Sequence, residues 1–145
     1  MLPLLVLSCL PILSTGTSLL MDDNVAFVGR VQKAADGTVM FDMNGVRVQA
    51  TLTSTTSLFA SMSQVQKLEG NTFQVFLDGV LQPNSRFNTS AWVAGQVVKV
   101  PLVPSGSLAA GTEHVVTVVK DTEPCFAGTR VSPNYITFHG TYVMS

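Results

Sequence analysis

The residues that could carry hydrolytic chemistry are few and scattered in this sequence. Nucleophilic hydrolysis needs an activated serine on a strained turn, a base within hydrogen-bond reach, and donors for the developing oxyanion. Serines are plentiful, but the Gly-x-Ser-x-Gly motif that places one on such a turn is absent. The two histidines, His114 and His139, lie in stretches typical of strands, where they fit structural roles. We therefore predict no catalytic residue in this chain.

Metal and cofactor sites have equally little support. Two distant histidines without clustered carboxylates supply neither a zinc nor a calcium ligand set. The phosphate-cradling motif Gly-x-x-x-x-Gly-Lys is also absent. Asp22, Asp23 and Asn24 could contribute to a calcium site, or they could form a solvated lead-in to the first strand. We predict neither a metal nor a cofactor.

Three side chains in the polar loop from Pro83 to Ala94 are the best candidates for contacts with a carbohydrate. Trp92 is the only tryptophan, and Phe87 and Arg86 lie just before it. An exposed ring could stack on a sugar, and the guanidinium could donate hydrogen bonds to sugar hydroxyls. The alternative is that both rings cap the hydrophobic core, because aromatic side chains bury large apolar areas.

The same loop contains a candidate modification site. The tripeptide Asn88-Thr89-Ser90 fits the acceptor sequon for N-glycosylation, with Asn88 as the acceptor. A glycan there would agree with a surface position for the loop. It would also obstruct a ligand site beside it.

The elements that carry these residues are predicted to be strands. Only 12% of the 145 residues are charged, about half the share in ordinary soluble domains. Short apolar stretches alternate with turn signals, and none has a convincing helical period. This pattern predicts an all-β antiparallel sandwich of the jelly-roll type with about eight strands. The net charge of −1 and the lack of a basic stripe argue against a nucleic-acid partner.

The turn signals also predict local connections. Strands over 25–34, 38–43 and 46–53 should form a meander, because Asp36-Gly37 and Asn44-Gly45 favour tight hairpin turns. In the third strand, apolar and polar residues alternate cleanly. Residues 54–68 fit a strand end followed by a loop. Pro101 places the strand over 96–103 at a sheet edge or introduces a bend.

The first 18 residues have the layout of a signal peptide. An apolar run from Leu2 to Leu13 is followed by small residues. The run is shorter than the about 20 residues of a membrane span. Pro3 and Pro11 disfavour the alternative, a first strand of the fold. We expect a secreted protein without a membrane span.

This layout divides the chain into two parts. Residues 1–18 are the signal peptide, and residues 24–145 form one β-sandwich domain. Removal of the signal peptide takes Cys9 away and leaves Cys125 as the one remaining cysteine. Cys125 is then either a free thiol, buried and inert, or the partner in an intermolecular disulfide.

Five short segments occur in a distinctive order along the chain. They are Gly29-Arg30, Phe41-Asp42 before Gly45, Phe76-Leu77-Asp78-Gly79, His114 to Glu123, and Phe138-His139-Gly140. This order resembles the N-terminal domain of carbohydrate esterase family two over residues 25–142. The segment from His114 to Glu123, with Gly111 ahead of the histidine, is the most specific of the five.

The resemblance implies a jelly-roll sandwich that precedes a hydrolase domain of the GDSL (SGNH) type. Such a hydrolase removes acetyl groups from plant polysaccharides such as xylan. Its Gly-Asp-Ser motif is absent here, and Met43-Asn44 and Asp121 depart from the family pattern. The chain is thus expected to be a non-catalytic accessory module whose partners are a hydrolase domain and a plant-type polysaccharide. The alternatives are a free-standing carbohydrate-binding protein and a truncated fragment of an active polysaccharide deacetylase.

Overall fold

The protein folds as two antiparallel β-sheets packed face to face. A computed structural model of the chain describes residues 17–19, 24–53, 57–65, 70–104, 108–109, 111–122, 126–127, 130–131 and 135–144. These residues contain fourteen strands and no helix. The strands are β1 Thr17–Leu19, β2 Val25–Val28, β3 Gln32–Lys33, β4 Val39–Phe41, β5 Arg47–Thr53, β6 Ser57–Gln64, β7 Thr72–Leu77, β8 Val80–Leu81, β9 Phe87–Asn88, β10 Val98–Val103, β11 Glu113–Lys120, β12 Phe126–Ala127, β13 Arg130–Val131 and β14 Ile136–Met144.

Two six-stranded sheets contain twelve of these strands. Sheet A has the order β10-β6-β14-β4-β3, with β1 beside β14. Sheet B has the order β2-β5-β11-β7-β8, with β9 beside β7, while β12 and β13 pair separately. The predicted all-β antiparallel sandwich is confirmed, and several of the additional strands are only two residues long. No helix long and apolar enough to cross a membrane occurs in the part of the chain that the structure describes.

The hydrophobic core lies between the two sheets and follows a period of two. In β5, Val48, Ala50 and Leu52 are buried, whereas the strand ends Arg47 and Thr53 are exposed. Successive side chains of a strand point to opposite faces, so one face of each sheet packs inward. The alternation predicted for this strand is therefore confirmed.

The predicted meander over residues 25–53 is wrong, because the chain changes sheets twice within it. β2 pairs with β5 in sheet B, whereas β3 and β4 pair with each other in sheet A. The first change follows Gly29, whose φ of +113° lies in a region that favours glycine. The second follows Gly45, whose N–H donates to the Lys120 carbonyl at 2.8 Å. A turn signal specifies a reversal but not the sheet that the next strand joins.

The hairpin between β3 and β4 confirms the turn predicted at Asp36-Gly37. The Asp36 carboxylate accepts hydrogen bonds from the Thr38 hydroxyl at 2.7 Å and the Thr38 backbone N–H at 3.0 Å. These bonds hold the pKa of Asp36 below its ordinary value. The side chain thus fixes the turn locally, as is usual for aspartate.

A central strand of sheet A replaces the strand end and loop predicted for residues 54–68. β6 lies between β10 and β14. Its inward residues Leu58, Ala60 and Met62 are at most 1% exposed, and serines occupy alternate positions. The prediction failed because Leu58, Phe59, Met62 and Val65 also fit a near-helical spacing, which obscured the two-residue alternation.

The edge position predicted for the strand with Pro101 is confirmed. β10 pairs only with β6 among the described strands, and the register shifts between Pro101 and Val103. Proline cannot donate to a ladder, so edges and bulges accommodate it. Val100, Leu102 and Val103 are buried. The apolar character of this strand therefore reflects ordinary core burial.

Candidate carbohydrate-contact surfaces

The two aromatic candidates of the loop form a stack that runs into the core. The rings of Phe87 and Phe73 lie 4.9 Å apart with 12° between their planes. Trp92 stacks on Phe87 at 6.5 Å and 16°. Phe73 is 1% exposed, and Phe87 and Trp92 are partly buried against the core. This packing supports the core-capping alternative for both rings.

A chain of buried hydrogen bonds holds the same loop. The Thr89 hydroxyl donates to Gln64 Oε1 at 2.8 Å and accepts from the Asn71 backbone N–H at 2.9 Å. Gln64 Nε2 donates to the Trp92 carbonyl at 2.9 Å. Gln64, Asn71 and Thr89 are at most 1% exposed. Breaking one such bond leaves a buried group unsatisfied, so the network rigidifies the loop below Trp92.

Arg86 forms an ion pair at the surface. Its Nη2 is 2.8 Å from Asp121 Oδ2, and the two side chains are 64% and 38% exposed. An ion pair this exposed is weak, because water screens it. The structure thus pairs Arg86 with a carboxylate at the surface and packs Phe87 and Trp92 against the core.

Asn88, the predicted glycosylation acceptor, is exposed on β9. Its Nδ2 donates to Thr72 Oγ1 at 3.2 Å, and its Oδ1 accepts from the Ser90 N–H at 2.6 Å. Because side chains alternate along a strand, Asn88 points away from the face that Phe87 packs against. The acceptor is accessible in the folded domain, and its glycosylation stays a prediction.

The first histidine belongs to a partly exposed pair with an aspartate. His114 Nδ1 lies 2.7 Å from Asp78 Oδ2, and Asp78 Oδ1 accepts from the Val115 N–H at 2.8 Å. These bonds, the one to His114 foremost, hold the pKa of Asp78 below its ordinary value. His114 Nε2 is buried without a hydrogen-bond partner among the described residues. That nitrogen is therefore not available to a substrate as a base.

The second histidine contacts a serine. Ser63 Oγ lies 2.8 Å from His139 Nε2, which is the separation of a nucleophile and its base. Ser63 lies inside β6, however, and is only 6% exposed. A buried mid-strand hydroxyl lacks the exposed, strained position of an activated nucleophile. The bond is better suited to holding two neighbouring strands.

The metal and thiol predictions fall largely outside the described residues. Asp22, Asp23 and Cys125 lie there, as does Cys9. Within the residues that are described, no group of three His, Cys, Asp or Glu side chains could hold a metal ion.

A shallow groove on the outer face of sheet B is a surface that sequence reasoning missed. Its volume is about 350 Å³, and it is lined by Arg47, Gln49, Phe76, Gly79, Thr117 and Val119. Phe76 is paired with Thr117, which in turn is paired with Gln49, so the three lie in one row across the sheet. The polar alternation of β5 signalled an outward face, but not the ring that lies on it two strands away.

The outer face of sheet A carries two rings that are already covered. Phe59 and Tyr142 lie opposite each other on β6 and β14. Lys99 Nζ lies 4.9 Å from the Tyr142 ring centroid and 5.5 Å from that of Phe59. A cation at these distances interacts with both ring faces. We call Lys99 and these two rings the lysine-capped pair.

Comparison with known proteins finds likeness in structure only. The sequence matches no protein-family model and no curated protein. A family two carbohydrate esterase from Cellvibrio japonicus is similar with a TM-score of 0.62 and 16% identity, over 90% of this chain and 33% of the esterase. An acetyl xylan esterase from the rumen bacterium Butyrivibrio proteoclasticus has a TM-score of 0.64 and 13% identity, over 90% of this chain and 31% of its own. The chain thus spans about a third of these esterases.

A third similar structure is that of a single carbohydrate-binding module. It is the carbohydrate-binding module CBM36 in complex with calcium and xylotriose, with a TM-score of 0.55 and 14% identity. The match covers 90% of this chain and 99% of the module. This chain therefore has the jelly-roll sandwich fold of these structures. The resemblance of this jelly-roll domain to family two carbohydrate esterases is confirmed at the level of the fold.

Proposed function

We propose that this jelly-roll domain is a non-catalytic accessory module of a polysaccharide-active esterase. The observation that carries the proposal is the unequal coverage of the match, 90% of this chain but 33% of the Cellvibrio japonicus esterase. In such esterases the domain shares a chain with a catalytic domain. Following the resemblance, the partner proposed here is a GDSL (SGNH) hydrolase domain that deacetylates plant-type polysaccharides.

Exposed valines near Trp92 support a docking role for one end of the sandwich. The Gly95 N–H donates to the Gln64 carbonyl at 2.8 Å. Val65 follows Gln64 directly, and Val93 and Val97 lie two residues on either side of Gly95. These three valines are 45%, 59% and 50% exposed. Apolar side chains grouped on a rigid surface are typical of protein interfaces.

A hydrolase with and without this domain tests the proposal. The coding sequence around residues 1–145 is first searched for an in-frame Gly-Asp-Ser motif. Where one is found, the longer chain and the hydrolase part alone are compared; otherwise a GDSL acetylxylan esterase is added as a separate chain. We expect the domain to raise the hydrolase's melting temperature and its rate on acetylated xylan. Equal values with and without the domain would contradict the proposal.

Serine substitutions locate the docking surface in the same assay. The double variant Val93→Ser and Val97→Ser should remove most of the gain. The matched control, Val28→Ser and Val80→Ser, changes two valines of similar exposure elsewhere and should keep it. The isolated domain should not hydrolyse an aryl acetate. Activity that disappears in Ser63→Ala would instead favour an active deacetylase.

We also propose that the protein is secreted and that its leader is cleaved after Gly16. Thr17 and Ser18 pair with Val143 and Tyr142 in sheet A, which favours cleavage before Thr17 over cleavage after Ser18. Mass spectrometry of secreted protein should find Thr17 as the first residue. A chain that begins at Met1 or at Leu19 would contradict this.

A second candidate function is that of a free-standing carbohydrate-binding protein. The match to 99% of a structure that is a carbohydrate-binding module in complex with xylotriose favours the binding function. The two functions are compatible, because an accessory module can bind the polysaccharide on which its hydrolase acts.

A further inference from the structure

The groove on the outer face of sheet B contains the ring of Phe76, which contacts no other aromatic ring of the described residues. Phe76 lies between Val75 and Leu77 in β7, and Val75 is buried in the core at 1% exposure. Phe76 therefore points outward, where it is half-buried. Unlike Phe87, it stacks on no other ring in the described parts of the chain. A ring in this position offers its apolar face to a ligand.

Polar groups surround this ring on the side of β11 and β5. Gln49 Nε2 donates to Thr117 Oγ1 at 3.4 Å. This long bond orients the amide but leaves Gln49 Oε1 and the second Nε2 hydrogen for other partners. A pyranose ring has apolar C–H faces and an equatorial rim of hydroxyls. Its face matches Phe76, and its rim matches Gln49 and Thr117.

Arg47 gives the groove a positive charge. It is exposed at the start of β5 and lines the same groove. The ion pairs of the described residues join Arg86 to Asp121 and His114 to Asp78, so neither carboxylate neutralises Arg47. A guanidinium binds a carboxylate through two parallel hydrogen bonds, and such charge-assisted bonds are stronger than neutral ones. Charge complementarity therefore favours a ligand that carries a carboxylate.

We propose that the outer face of sheet B binds a uronate-bearing oligosaccharide. One sugar ring stacks on Phe76, its hydroxyls bond to Gln49 and Thr117, and the uronate carboxylate pairs with Arg47. The site rests on the carbohydrate-binding part of the proposed function and is independent of a hydrolase partner. The loop that contains Trp92 makes no contact with the ligand in this proposal.

Calorimetric titration of the whole domain tests the site. The probes are xylotetraose with a glucuronic acid branch, and unbranched xylotetraose as the neutral counterpart. We expect the acidic probe to bind about threefold more tightly, because an ion pair with an exposed arginine contributes only weakly. Raising the salt concentration should reduce this preference, since salt screens exposed charges.

Matched variants assign the preference to particular residues. Arg47→Gln should remove the preference, so that the two probes bind with equal affinity. Phe76→Ala should weaken both probes about tenfold. The control Arg86→Gln changes an arginine just before β9 that is already paired with Asp121, and should change neither affinity. Melting curves establish that each variant is folded, which is expected because these side chains lie outside the core.

Three results would overturn the proposed site in different ways. Equal affinity for both probes, unchanged by Arg47→Gln and Phe76→Ala, would refute the site but keep a carbohydrate-binding function. Losses confined to Arg86→Gln and Trp92→Ala would move the site to the loop. Absence of binding to either probe would refute both the site and the free-standing carbohydrate-binding function, and would leave the docking role to its own assay.

Discussion

The outer faces of the two sheets differ in which groups contact their aromatic rings. On sheet A, Lys99 lies over Phe59 and Tyr142, so the cation and both rings of the lysine-capped pair already have partners within the domain. On sheet B, Phe76 and Arg47 line one groove, and neither makes a ring contact or an ion pair within the described residues. The same chemical components, rings and a cation, therefore stabilise the fold on one face and are free for a ligand on the other.

This difference shows why aromatic content alone does not locate a binding site. Trp92 and Phe87 are the most conspicuous candidates in the sequence, yet both pack against the core. Phe76 is inconspicuous among neighbouring valines and leucines. What distinguishes them is the presence or absence of a partner, which depends on contacts between distant strands.

The largest expected effect separates Trp92 from Phe76. Trp92→Ala removes a ring stacked on Phe87 and should lower the free energy of unfolding by about 3 kcal/mol. Phe76→Ala should lower it by only about 0.5 kcal/mol, because the ring lies outside the core. Denaturant unfolding measures both values. Equal losses of unfolding free energy would mean that Phe76 contributes to packing as much as Trp92 does, which would contradict its open position.

Two threonines give a smaller and more specific contrast. Thr89→Val leaves Gln64 Oε1 and the Asn71 N–H without their buried partner, and should cost about 2 kcal/mol. Thr117→Val makes the same replacement of a hydroxyl by a methyl group on the outer face of sheet B. It should lower the free energy of unfolding by less than about 0.5 kcal/mol. Thermal melts of the two variants at matched concentration check this. A Thr117→Val variant as unstable as Thr89→Val would contradict it.

Replacement of the two cations, Lys99 and Arg47, should give a smaller difference in stability. Lys99→Gln keeps much of the side-chain length but loses the cation over two rings, and should destabilise the domain by about 1 kcal/mol. Arg47→Gln should leave stability within about 0.5 kcal/mol. The comparison fails if both substitutions have the same effect on unfolding. Tyr142→Leu, which removes one ring and its contact with the cation, is a second measure of this interaction.

The smallest expected effect depends on pH and concerns Asp78. The fold lowers its pKa below the ordinary value of 3.8, first through the bond with His114. Its contribution to stability is therefore present above that ordinary value and lost as the pH falls through the lower folded pKa. Asp78→Asn, which still tolerates the φ of 50°, should be slightly less stable than wild type at neutral pH. The difference should disappear in acid; a gap that persists at pH 2 would show that it is not electrostatic.

Local patterns in the sequence predicted much of the fold. The alternation in β5, the hairpin at Asp36-Gly37 and the edge strand with Pro101 each depend on residues close together in the chain. The sheet that each strand joins depends on distant residues, which explains the failed meander. β6 was missed because its apolar residues also fit a helical spacing.

The candidate sites were harder to predict for the same reason. The bond between Gln64 and Thr89 spans 25 residues, and nothing in either segment signals it. The row from Phe76 through Thr117 to Gln49 joins three strands that are far apart in sequence. The resemblance to carbohydrate esterase family two predicted the fold without assigning a surface.

The pairing of β1 with β14 has a mechanical consequence. Thr17 lies opposite Val143 and Leu19 opposite Thr141, so the first and last described strands run side by side in opposite directions. A force that pulls these ends apart would open their ladder like a zipper, one hydrogen bond at a time. β14 would remain held by β6 along its whole length. Under tension, β1 should therefore peel away at low force while the rest of the sandwich stays closed.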